Sequence, residues 1–120
     1  MYRERVIKDL FLQLKRTGKY STIGEICRKI STMDMDRYYV SEDRARDIYL
    51  RYRRTGKIAP CSKYAYVLRL GLVHECERIR KEKILNCISH IVREAIEQPA
   101  CSIGLSPSRI QRILKEGGML

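Results

Sequence analysis

Displaced by 65 residues, this chain lies along itself without a gap: ICRKISTMDMDRYYVSEDRARDIYL (26–50) falls on IVREAIEQPACSIGLSPSRIQRILK (91–115). Ile26/Ile91, Arg28/Arg93, Ser41/Ser106, Arg44/Arg109 and Ile48/Ile113 are identical. Cys27/Val92, Ile30/Ala95, Val40/Leu105, Ala45/Ile110 and Tyr49/Leu114 keep apolar character. A repeat restricts the fold to one supersecondary unit used twice, because a single copy cannot bury its apolar face alone. Ser41 and Ser106 each precede a helical pattern, and serine is a preferred N-cap, so cap falls on cap. Chance agreement between similar amphipathic helices is the alternative.

Apolar spacing is helical nearly throughout, with no convincing alternating strand. One helix is expected over 3–16, ended near Gly18. A second covers 22–32, opened by Ser21 or Thr22. A third covers 42–54, with Ser41 as N-cap and Gly56 closing it. A fourth runs over 63–81 behind Ser62. It either continues through EKILN or gives way to a helix over 87–97 capped by Asn86; Ile84, Ile88, Ile91 and Val92 hold helical spacing in both cases. A last helix spans 107–116, with Ser106 as N-cap, Pro107 at the first position and Gly117 past the end. The connectors MDMDRYYV and QPACSIGL alternate enough to be extended, with Tyr38, Val40, Ile103 and Leu105 pinning them to the core. The expected fold is all-α: about six helices as two related helix–helix–connector–helix units, 1–57 and 58–120, packed as one compact domain.

Charge narrows the function. Twenty-five Lys and Arg against fourteen acids give a net charge of +11, and sixteen of the cations are arginine, the side chain suited to forked contacts with phosphate or guanine. Such a balance favours a nucleic-acid partner, with duplex DNA the first expectation. A protein partner, met by a helical adaptor whose positive surface suits an acidic chain, is the alternative. On the third helix, Arg44, Arg46, Arg51, Arg53 and Arg54, with Lys57 beyond it, surround an apolar face of Ala45, Ile48, Tyr49 and Tyr52. Arg53, Arg54 and Lys57 also stand where the helix dipole favours cations; Arg44 and Arg46, near the start, do not. On the last helix, Ser108, Arg109, Gln111, Arg112 and Lys115 should point outward, where arginine can reach guanine and glutamine adenine.

Catalysis has little to work with: two histidines, no paired carboxylates, no glycine-rich phosphate loop and no nucleophile elbow. No catalytic residue, cofactor or metal is expected. The five cysteines contain no CxxC pair, which suggests reduced, mostly buried thiols in a cytoplasmic protein. HEC (74–76) and CISH (87–90) resemble halves of a zinc site, yet His74 and Cys76 cannot share a helix face; only Cys87 and His90 do. The charged N-terminal stretch lacks the apolar centre of a signal peptide, and no apolar run suits a membrane span.

DRYYVSEDRA (36–45) resembles the second half of a PAPRFYVSPERA-like segment found in small uncharacterised helical proteins of bacterial mobile elements. EQPACSIGLSPSRI (97–110) is similar to its frame. The resemblance implies a mobile-element or phage setting and brings no catalytic residues. PACSIGLSPSRIQRIL (99–114) also looks like a degenerate helix-turn-helix of bacterial regulators, with Ala100, Ile103, Gly104, Leu105, Ile110 and Ile113 in the patterned places. Pro99 departs from that pattern, standing where the first helix of the pair should already run. The first copy departs further, with Met35 and Tyr39 opposite Ala100 and Gly104.

Overall fold

A computed structural model describes residues 2–83 and 87–120, which form six helices and no strand. They are α1 (Tyr2–Arg16), α2 (Ile23–Thr32), α3 (Glu42–Thr55), α4 (Lys63–Lys83), α5 (Ile88–Ala95) and α6 (Pro107–Glu116). The helices start where side chains can take up their first free N–H groups. Thr22 accepts from the Glu25 amide at 3.2 Å, while the Glu25 carboxylate accepts from the Ser21 amide at 3.0 Å, a near-capping box. Ser41 and Ser106 have nearly the same backbone, φ −66° and −69°. Their hydroxyls accept from the amides of Arg44 and Arg109 at 3.1 and 3.2 Å. Ser62 does the same for Ala65 at 3.2 Å.

Two helix ends differ from expectation. Helix α4 runs to Lys83, with Glu82 and Lys83 tied to Arg78 and Glu94. Helix α5 stops at Ala95 instead of 97, because Glu97 and Gln98 donate three residues back, to Glu94 and Ala95. That tightened exit leads into Pro99, which disfavours a helical residue before it. Cys87 holds the N-cap of α5 without a side-chain cap bond. Asn86, the expected cap, lies outside the described residues, as does Ile84.

Each short central helix is covered from two sides. Helix α2 lies on α1 and α6, α5 lies on α4 and α3, and the α1–α6 and α3–α4 contacts close these into two three-helix groups. Shifting by 65 residues turns each of these pairs into another. The principal contacts of α3 are therefore with α4 and α5, and those of α6 with α1 and α2. Burial keeps the same shift: Ile7 and Leu72, Phe11 and Cys76, Ile30 and Ala95, Tyr49 and Leu114 are all buried. Each large apolar side chain removed from water contributes about 1.5–3 kcal/mol.

Both connectors are non-helical, and they meet. The Met35 amide donates to the Ala100 carbonyl at 2.7 Å, and the Ala100 amide returns a bond to Met35 at 2.9 Å. Tyr38 and Ile103 anchor the connectors in the core, with Val40 and Leu105 partly buried beside them. Gly71 makes room for Tyr38, since a Cβ there would stand 3.0 Å from the phenolic oxygen. Burial pushes the Tyr38 phenol up to about 12.

The cysteines correct an expectation. All five are free thiols, but only Cys27 and Cys76 are buried; Cys61, Cys87 and Cys101 are exposed. Burial pushes the Cys76 thiol up to about 12. His74, two residues away, points to solvent, so the pair does not converge. Among the described residues, no three side chains of metal-ligating type come together and no helix is long and apolar enough to cross a membrane.

Candidate nucleic-acid interface

The arginines of α3 fall into two rows, because residues seven apart return to the same side of a helix. Arg46 and Arg53 occupy one row, and both are engaged. Arg46 is half-buried and pairs with Asp43 at 3.1 Å, which corrects the expectation of a free, exposed side chain. Arg53 lies over the Tyr49 ring and donates to its phenolic oxygen at 3.4 Å. Its place is structural: Tyr49 is fully buried and donates to Glu77 on α4 at 3.3 Å. Arg80 grips the other Glu77 oxygen at 2.9 and 3.2 Å.

Burial opposes ionisation of Glu77, but bonds from Arg80 and Tyr49 outweigh it and lower its pKa. A carboxylate whose pKa falls on folding stabilises the fold above its unfolded pKa, and that stability is lost as pH drops through the folded value. Glu77→Gln should therefore cost about 1 kcal/mol near pH 7, with the difference from the parent shrinking as pH falls below about 4.3. Urea unfolding at stepped pH reads it; a gap that persists in acid would show that packing, not ionisation, carries the effect.

The other row is unengaged. Arg44 and Arg51 flank Ile48 along α3, and across from them stands Arg69 of α4. With Asp47 and Ala59 they line a cleft of about 190 Å³. Among the described residues none of the three guanidinium groups pairs with a carboxylate. Three cations facing one acid repel one another unless an anion enters between them. Arg54 and Lys57 are exposed beyond the cleft, where Gly56 ends the helix with φ 73°. The apolar face is less covered than expected: Ala45 and Tyr49 are buried, while Ile48 and Tyr52 are half-exposed.

Much of the acid elsewhere is consumed internally. Glu42 pairs with Arg93 at 3.1 Å, Glu75 and Glu82 share Arg78, and Glu94 holds Lys83. These pairs leave the positive excess on the remaining arginines and lysines, the α3–α4 arginines among them.

On α6, Ser108, Arg109, Gln111, Arg112 and Lys115 are all exposed. Arg112 reaches Glu116 at 4.0 Å. Arg3 of α1 is half-buried beside Arg109, and burial, then that second charge, lowers its pKa. The helix-turn-helix geometry does not form: residues 99–105 contain no helix, and α6 docks on α2 and α1. Pro99 and the Met35–Ala100 bridge hold that segment extended.

Sequence reasoning missed Arg69. It stands on a different helix from Arg44 and Arg51, and only the α3–α4 packing brings it to them. No family model matches the chain, and no curated protein or solved structure is detectably similar to it.

Proposed function

We propose that this is a non-enzymatic DNA-binding protein that holds the phosphate backbone on the α3–α4 face. One observation carries the reading: Arg44, Arg51 and Arg69 line one cleft with a single acid, Asp47, and none of the three is ion-paired among the described residues. Arg54 and Lys57 extend the positive track, and the exposed row of α6 supplies arginine and glutamine for base edges. A regulatory or mobile-element role is supported by the resemblance of residues 36–45 and 97–110 alone.

A second reading has its own observation. Tyr64 and Val67, with Ser31, Thr32, Lys63, Cys101 and Ser102, line a mainly apolar cleft of about 300 Å³, and Tyr66 and Val67 are nearly half exposed. That surface suits a helical adaptor.

Binding of a short duplex of arbitrary sequence, followed by fluorescence anisotropy from about 50 to 200 mM salt, separates the two. The DNA reading expects log affinity to fall with log salt by about 0.9 for each phosphate held. No measurable binding at the lowest salt would remove it.

A further inference from the structure

Carried to the chain's ends, the 65-residue shift sets Arg69 on Glu4, Ile48 on Ile113 and Arg51 on Glu116. Two clefts occupy those corresponding places. One is the α3–α4 cleft with Arg44, Ile48, Arg51 and Arg69. The other, between α1 and α6 and about 230 Å³, is lined by Glu4, Lys8, Ile113, Glu116 and Gly117. The apolar floor is kept, and charge is inverted at three positions: Arg51 and Arg69 give way to Glu116 and Glu4, and Asp47 to Arg112. The second cleft also carries its own counter-charges. The Lys8 stem lies so close to Gly117 that a Cβ there would come within 2.4 Å of it, and Arg112 faces Glu116 at 4.0 Å.

The Met35–Ala100 bridge joins residues the shift makes equivalent, running antiparallel. An antiparallel contact between equivalent positions is what a two-fold axis produces. We infer that a local two-fold axis relates the halves and that only one of the two clefts it generates, α3–α4, takes a nucleic-acid backbone phosphate. The inference rests on the DNA reading for its occupant. A symmetric pair of clamps would suit a site of two related half-sites. Glutamates at positions 4 and 116 balance Lys8 and Arg112, so that cleft lacks the net positive charge of the α3–α4 cleft, and a single chain grips the duplex from one end with no need of a palindrome.

The experiment uses the full chain, a generic duplex and, separately, inorganic phosphate. Arg51→Glu with Arg69→Glu should weaken duplex binding at least about 100-fold. Glu4→Arg with Glu116→Arg should create the second clamp, strengthening binding about tenfold and steepening the salt slope by about two. Asp34→Arg with Glu97→Arg, the same charge change at exposed sites outside both clefts, should gain far less. In NMR, inorganic phosphate should move the side-chain signals of Arg44, Arg51 and Arg69 and spare Arg109 and Arg112. Equal gains from the Glu4/Glu116 and Asp34/Glu97 pairs, or phosphate shifts in both clefts, would overturn the one-sided site. Phosphate shifts confined to α3–α4 without duplex binding would keep the site and remove DNA as its occupant.

Discussion

Replacing Gly104 with alanine should destabilise the protein by about 2–4 kcal/mol. Gly104 has φ +79° and is buried, and a Cβ there would meet Leu68 Cδ2 at 2.5 Å and Cβ at 2.9 Å. The backbone is fixed as well: the Gly104 amide donates to the buried Ser102 hydroxyl at 2.9 Å. Because Leu68 Cβ is fixed to the α4 backbone, rotating the Leu68 side chain alone cannot relieve the clash. Gly56→Ala is the control. It has a similar φ of 73° with nothing within 4 Å of the added carbon, so it should lose only about 1 kcal/mol. Urea unfolding followed by circular dichroism measures both. Equal losses would mean that contact with Leu68 contributes nothing.

Replacing Arg44, Arg51 and Arg69 together with alanine should lower duplex affinity by at least about 100-fold at low salt, each charged contact being worth about 1.5 kcal/mol or more. The salt slope should fall by about three. Stability should change by no more than about 0.5 kcal/mol per site, because none of the three has an ionic partner to lose. Arg53→Ala gives the opposite profile, since Arg53 sits over the buried Tyr49 ring. It should cost stability and leave binding nearly unchanged. If the triple variant unfolds while still binding DNA, the cleft arginines are structural.

These contrasts mark what the sequence made legible. Helix α6 could be read to its ends because Ser106, Pro107 and Gly117 each act locally, on the nearest backbone groups. The end of α5 could not, since its last turn tightens to three-residue bonds that leave the apolar spacing of Ile91, Val92 and Ala95 intact. An amphipathic pattern says which face of α3 is covered and is silent on what covers it. That α3 lies on α4 and α5 is therefore a tertiary fact. The arginines follow the same rule. Arg44 and Arg46 look alike in a helical projection, yet Asp43 lies within reach of Arg46 alone. Arg69 gave no signal because its partners are on another helix. The exposure of Cys61, Cys87 and Cys101 was hidden too, because a small weakly polar thiol fits a loop as readily as a core.

The most direct test is an NMR titration of the full chain with a short duplex, reading backbone amides and arginine side chains together. The DNA reading predicts shifts on α3 from Arg44 to Lys57, on Arg69 and on the exposed row of α6 from Ser108 to Lys115, fading as salt rises. Shifts gathered instead around Tyr64, Tyr66 and Val67, or none at low salt, would contradict it.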